Sequence, residues 1–155
     1  MIVNNIIIEL ARPQDAAILA QTEGECFSTP WALDMIAQEI TGAQSRVWCA
    51  KTPQKKIVGH IAITFATDTA DITTVAVLPQ YRRLGIAASL LEKVVSFCEA
   101  NGTSTLFLEV RESNAAAIAL YEKYQFEKIS VRRNYYKQPT EDAVIYRKEM
   151  QNENS

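Results

Sequence analysis

The sequence predicts an α/β protein: a mixed, mostly antiparallel sheet flanked by helices. Three observations lead there. Short β-branched runs alternate with segments of helical periodicity, the polar turn TPQKK joins two of those runs as a hairpin, and two later strands are each followed at once by a turn and a helix. The 155 residues, 48% hydrophobic and 22% charged, have the composition of an ordinary globular protein and the length for one core. One domain over residues 1–150 is expected, with a disordered tail at 151–155.

Ile6 to Leu10 is a β-branched run that stops before Pro13, so a strand there gives way to a helix from about Gln14 to Glu25. A second helix is expected behind Phe27-Ser28-Thr29-Pro30-Trp31, with Thr29 as N-cap, Pro30 at the first helical position and Gly42 just past the end. Arg46 to Lys51 and Ile57 to Phe65 read as the two strands of the hairpin. Asp71 to Leu78 is a further strand ended by Pro79, after which Ile86, Leu90, Leu91, Val94 and Cys98 recur at helical spacing until Asn101-Gly102. Thr105 to Val110 is the next strand. Ser113 then stands as a natural N-cap for a helix over Ala115 to Tyr124, built from strong helix formers. Two strands, Ile129 to Arg133 and Ala143 to Met150, close the chain around a polar and aromatic loop, NYYKQPTED.

Composition also excludes. A net charge of -2 leaves no general basic footprint for nucleic acid. Cys26, Cys49 and Cys98 are widely spaced without a partner at ligand spacing and read as buried free thiols. The opening MIVNNIIIEL has no positive stretch, and its apolar run is too short for a signal peptide or a membrane span. A cytoplasmic protein is expected. His60 lies in an apolar strand with no partner in sequence and reads as a packed or edge histidine.

The segment Arg82-Arg83-Leu84-Gly85-Ile86-Ala87 places a glycine and small residues where a strand hands over to a helix. Small side chains leave the first backbone N–H groups open, and with the positive helix end they suit a pyrophosphate. The segment is neither a GxGxxG nor a GxxxxGK[ST] pattern, which argues against dinucleotide and P-loop sites.

In context the signal sharpens. A Q/R-x-x-G-x-G/A pattern after a strand, a next strand with LEV, then SNxxAxxLY, together resemble the acyl-CoA-binding core of the GNAT superfamily of N-acetyltransferases, over roughly residues 45–150. LEVRESNAAAIALY, VRRNYY, EDA and the upstream CFSTPW resemble in particular the RimI-like ribosomal-protein-alanine N-acetyltransferase group. The resemblance implies that strands 71–78 and 105–110 are adjacent, parallel and splayed to admit acetyl-CoA. It implies that Val75, Ala76 and Val77 offer backbone hydrogen bonds to the pantetheine arm. Arg83, Leu84, Gly85, Ile86, Ala87 and Ala88 would wrap the pyrophosphate, and Asn114 would hold the pantetheine end. Glu109 matches the family's general base and Tyr121 its general acid, with no metal.

Those two roles make chemical sense. An attacking amine must lose a proton, which a strand carboxylate facing a cleft can accept directly or through one water. A departing thiolate needs a proton, and a phenol with an ordinary pKa of about 10 has one to give at neutral pH. Alone, Glu109 reads as a solvated strand residue and Tyr121 as a core-edge aromatic; their joint spacing around Ser113-Asn114 favours catalysis. This reading expects both side chains on one face of the sheet, aimed at the same carbonyl carbon.

The substrate implied is a protein N-terminus, the N-terminal alanine of a small-subunit ribosomal protein, with no membrane and no direct nucleic-acid partner. A lysine or small-molecule amine, or a non-catalytic CoA-binding role, are the alternatives. A monomer or weak oligomer is expected. Arg132-Arg133 and Tyr135-Tyr136 either line a peptide groove or cap the sheet edge; Phe27 and Trp31 read as core or helix-start residues, with a substrate loop second. Gln125-Phe126 stands where the family often has Gly-Phe, so a changed helix end is expected.

Overall fold

The computed structural model describes residues 5–150, so the expected tail at 151–155 lies outside the described residues. Among the described residues seven strands and four α-helices follow one another as β1 (Ile7–Leu10), α1 (Ala16–Cys26), α2 (Leu33–Thr41), β2 (Ser45–Lys51), β3 (Ile57–Phe65), β4 (Thr69–Val77), α3 (Ile86–Ala100), β5 (Thr105–Arg111), α4 (Ala115–Lys123), β6 (Glu127–Tyr136) and β7 (Glu141–Glu149). Short 3-10 turns at Pro13–Asp15 and Pro79–Tyr81 start where proline fixes the backbone.

The chain forms two compact units. One comprises the described residues up to Thr64 together with Thr73–Ser96; the other comprises Phe65–Ile72 and the described residues from Phe97 onward. In the first unit β1, β2 and β3 pair antiparallel, with Ile8 opposite Ala50 and Trp48 opposite Ile61. α1 and α2 cover them: Ala16, Leu19 and Ile36 pack with Val47, Cys49, Ile57 and Ala62, and Trp31 leans on this core from outside. β3 has seven consecutive buried residues, Ile57 to Ile63, of which His60 is the one with a polar side chain.

In the second unit Thr69–Ile72 of β4 pairs parallel with Thr105–Leu108 of β5, and β5-β7-β6 continues antiparallel. β4 belongs to both units, so the strand order reads β1-β2-β3-β4-β5-β7-β6, mostly antiparallel with one parallel pair. Strict alternation on β5 buries Leu106, Leu108 and Val110 and turns Phe107, Glu109 and Arg111 to the other face.

Four local expectations need correcting. α2 starts at Leu33 behind an extended Ala32, not at Pro30, because the Trp31 N–H donates to the carboxylate of Glu23 and so keeps this stretch out of the helix. Asn114, not Ser113, caps α4: its amide oxygen accepts from the Ala117 N–H at 3.1 Å, while Ser113 gives both its N–H and its hydroxyl to Glu141. Asn134–Tyr136 extend β6 rather than opening a loop, because Tyr136 pairs with Glu141 beyond a bulge. Gln125 keeps the glycine-like geometry at the end of α4, adopting φ 69° itself.

Candidate active site

The strand-to-helix turn of the first unit is built as a concave run of backbone. Arg83 and Gly85 both adopt left-handed conformations, φ 64° and 81°, on either side of Leu84. Such alternation turns successive N–H groups toward one side. The first helical bond of α3 runs from the Ser89 N–H to the Gly85 carbonyl, so the N–H groups of Ile86, Ala87 and Ala88 have no upstream acceptor in the helix. Nothing lies within 4 Å of where a Cβ on Gly85 would sit, so the glycine is demanded by its backbone angle and the space above it is open. Arg82 and Arg83 are exposed beside it. The turn therefore has the donors, the helix end and the room that a pyrophosphate needs.

Behind it, the Leu78 N–H pairs with the Val58 carbonyl of β3, so by alternation Val75 and Val77 turn their backbone groups away from β3. The Val77 carbonyl already accepts from Arg82 Nε at 3.1 Å and from Cys26 Sγ at 3.4 Å. Ala76 is buried, and its carbonyl would lie 2.9 Å from a Cβ placed on Gly59, which fits the close approach of β3 and β4 there. Of Cys26, Cys49 and Cys98, the last two are buried and Cys26 is half-buried; burial pushes the Cys49 thiol up to about 12.

Glu109 sits on the second unit, near the end of β5. Its Oε1 accepts from Arg132 Nη1 at 2.9 Å, with its side chain about one-third exposed. Arg132 reaches it from β6 across β7, where its register partner is Ala143, whose methyl leaves the path open. The Tyr135 hydroxyl also bonds Glu109, and this bond, more than burial, raises the Tyr135 phenol above its ordinary range. The Arg132 guanidinium lies over the Tyr135 ring, 4.8 Å from its centroid. Next to them Arg111 stacks on Tyr136 at 4.4 Å and is pinned by Glu141. Burial first, then the charge of Glu109, pushes the Tyr136 phenol up to about 12. Of the four residues left open by the sequence, Arg132, Tyr135 and Tyr136 thus gather near the carboxylate, whereas Arg133 is exposed and faces Asp142 at 3.9 Å.

Tyr121 is 6% exposed, packed edge-on against Phe126 at 5.8 Å. Burial, then the charge of Tyr136, holds its phenol up at about 12, so it stays protonated at any neutral pH. Its helix is fastened to the face of β7 that carries Tyr146 and Lys148: the Tyr146 hydroxyl donates to Glu122, and Lys148 donates to the Tyr124 carbonyl. Those residues pair with Leu108 and Leu106, so this is the face opposite Glu109. Strand alternation and the anchoring of α4 therefore put the helix that carries Tyr121 over the face opposite Glu109. Tyr136 stands within electrostatic reach of both. Asn114 is exposed, and with its amide oxygen used in capping it keeps an NH2 to donate.

Sequence reasoning missed a second polar group, inside the first unit. His60 does have a partner: its Nε2 meets Glu23 Oε2 at 2.8 Å, both residues being about 1% exposed. Thr74 donates to the same oxygen at 2.8 Å, and the Trp31 N–H reaches Oε1 at 3.3 Å. The signal available was a glutamate on the buried stripe of α1 beside Leu19 and Thr22, which alone names no partner. Among the described residues no group of three or more His, Cys, Asp or Glu side chains is placed to hold a metal ion, and no helix is long and apolar enough to cross a membrane.

Residues 16–126 match the acetyltransferase (GNAT) family. A [ribosomal protein bS18]-alanine N-acetyltransferase of Haemophilus influenzae is 39% identical over 142 residues, covering 90% of this chain and 95% of that one. Its namesake from Escherichia coli strain K12 is 44% identical over 98 residues, 61% of this chain; the match spans 65% of that protein, just under two thirds of its length. The crystal structure of the ribosomal-protein-S18-alanine N-acetyltransferase from Escherichia coli superposes with a TM-score of 0.88 at 32% identity, over 97% of this chain and 99% of that one.

Proposed function

The chain belongs to the GNAT acetyltransferase family, and on that premise we propose that it moves an acetyl group from acetyl-CoA to the α-amine of a protein, the N-terminal alanine of a small-subunit ribosomal protein. The observation that carries the chemistry is the contrast within the second unit: a partly exposed carboxylate, Glu109, and a buried phenol, Tyr121, held protonated, with Tyr136 within electrostatic reach of both. The attacking nitrogen must lose a proton as its bond to the carbonyl carbon forms, and the departing sulfur gains one as its bond breaks, so an acceptor and a donor correspond to the two partners.

Acetyl-CoA supplies an activated thioester. The N–H groups around Gly85 and α3 hold its pyrophosphate, with Arg83, Leu84, Ile86, Ala87 and Ala88 forming the turn. Val75 and Val77 offer backbone bonds to the pantetheine arm beside Ala76, and the Asn114 NH2 holds its end. Glu109 takes the proton of the α-ammonium, directly or through one water, and Tyr121 Oη gives its proton to the departing sulfur. The similarity to alanine N-acetyltransferases supports the substrate class.

Incubation with acetyl-CoA and a peptide beginning with alanine, beside its N-terminally blocked, lysine-containing twin, tests the reading by mass spectrometry. Acetylation of the free N-terminus alone is expected. Acetylation of the blocked peptide alone would move the activity to lysine, and tight acetyl-CoA binding without turnover on any amine would make the chain a non-catalytic CoA-binding domain.

A further inference from the structure

Asp71 lies on β4 directly in register with Phe107 of β5. In a parallel pair, residues in register share a face, and Phe107 shares its face with Glu109 two residues on. The burial pattern agrees, since Ala70 and Ile72 are buried with Leu106 and Leu108 while Asp71 is exposed. Two carboxylates therefore stand diagonally on adjacent strands, with Cα atoms about 8 Å apart by strand spacing and rise. Their surroundings differ sharply. Glu109 accepts from Arg132 and from Tyr135, whereas Asp71 makes no hydrogen bond or ion pair among the described residues. Asp71 also feels its neighbour: burial, then the charge of Glu109, raises its carboxyl above the usual range.

On the acetyl-transfer reading above, we propose that Asp71 and Glu109 work as one proton-accepting pair, Glu109 meeting the incoming ammonium and Asp71 keeping the proton once it has left the nitrogen. The step balances without a further reactant. The N–H bond of the ammonium breaks and leaves its electron pair on nitrogen for attack on the carbonyl carbon. The proton forms an O–H bond on Glu109, passes to an Asp71 oxygen directly or through water, and is released to solvent from this exposed side chain after turnover. Two carboxylates close enough to interact hold the first proton more tightly than either would alone, and their titration belongs to the pair. Arg132 and Tyr135 already occupy Glu109, which makes the unpartnered Asp71 the resting place for the proton.

The charged groups on this face are Glu109 and Arg111 on β5, Arg111 being held by Glu141 of β7; Arg147 on β7 across Phe107, which faces Glu149 at 3.6 Å and has Glu127 of β6 as its other register partner; and Arg132 of β6, bound to Glu109.

Two measurements test the pair. The first needs no turnover: carboxyl-carbon NMR titration of the wild type and of Glu109→Gln. The Asp71 midpoint is expected to fall in the variant, because the negative charge that raises it has gone; an unchanged midpoint overturns the proposal. The second compares kcat of wild type and Asp71→Asn on an amine substrate between pH 7 and 9.5, with thermal midpoint and acetyl-CoA affinity as controls on folding. Asp71→Asn is expected to lower kcat roughly 10- to 100-fold at pH 7, within the range for acid–base assistance. The deficit should shrink as pH rises and the amine arrives already neutral, with KM altered less than about twofold. A loss that is the same at every pH, or no loss, overturns it. Failure of the α-amine assignment looks different, since the titration result stands whichever amine is acetylated.

Discussion

Replacing Glu23 with alanine tests the buried polar group on which the first unit depends. The side chain is 1% exposed and serves three partners: His60 Nε2 and Thr74 Oγ1 at Oε2, and the Trp31 N–H at Oε1. Truncation leaves all three without this partner, His60 fully buried and Thr74 and Trp31 half-buried. Each buried polar group without a partner costs about 1–3 kcal/mol, but water admitted into the space left by the side chain recovers part of it. The expected loss is therefore about 3–5 kcal/mol, the range seen when one member of a buried pair is removed. For a chain of this length that lowers Tm by roughly 6–20 °C. Glu23→Gln keeps an acceptor for Trp31 but presents an NH2 to the Thr74 hydroxyl, so it should cost roughly half as much. The neighbouring Glu25 is exposed, and its alanine variant should stay within about 0.5 kcal/mol of the wild type. Urea unfolding followed by far-UV circular dichroism reads all three. A Glu23→Ala protein within about 1 kcal/mol of the wild type would refute the account, as would a Gln variant weaker than the Ala variant.

Glu109→Gln should lower kcat by roughly 100- to 10,000-fold with acetyl-CoA affinity kept, as steady-state kinetics and calorimetry would show. Tyr121, at about 12 when folded and about 10 when unfolded, binds its proton more tightly in the native state, so its contribution is full below pH 10 and is lost as pH rises from 10 to 12; the loss is about 3 kcal/mol, and alkaline unfolding of Tyr121→Phe should show a shallower fall. Gly85→Ala meets no atom within 4 Å but must hold φ 81°, so denaturation should show a loss of about 1–2 kcal/mol from backbone strain, together with weaker acetyl-CoA binding. Gln125→Gly relieves a left-handed residue at φ 69° and should raise stability by roughly 0.5–1 kcal/mol in the same assay, the glycine's extra unfolded-state entropy offsetting the remainder.

The strands were legible because their side-chain periods are local. β3 and α3 sit where apolar runs and helical spacing put them, and the turn at Gly85 announces itself by small residues at a strand-to-helix junction. What the sequence hid depends on partners far along the chain. His60 and Glu23 are 37 residues apart, and nothing around either identifies the other. Thr29-Pro30 has the local chemistry of a helix start, yet a carboxylate from α1 holds Trp31 and α2 begins later. Ser113 was as good a cap as Asn114 until Glu141, from β7, claimed it. The placement of α4 follows the same rule. Alternation along β5 was readable, but the side on which α4 lies is decided by Tyr146 and Lys148 on a strand that comes later.

The proposed preference for an α-amine over lysine would follow from how little basicity a carboxylate offers. An α-amine has a pKa of about 7.7–8.0 and a lysine amine about 10.4, so near pH 7.5 roughly a third of the first is already neutral and only about one in a thousand of the second. Freeing the lysine nitrogen costs about 3.4 kcal/mol more. The acid–base groups contribute about 3–5 kcal/mol at best, whereas fixing the amine against the thioester is worth about 7–11 kcal/mol. Positioning thus carries most of the barrier for the proposed substrate, while on lysine the extra deprotonation would consume most of what Glu109 and Tyr121 add. Raising the pH from 7.5 to 9.5 should therefore speed acetylation of the alanine peptide only about threefold, as its last ammonium is lost. The blocked lysine twin should gain tens-fold over the same interval, and equal gains for the two peptides would show that the step limited by the free amine is not the one being measured.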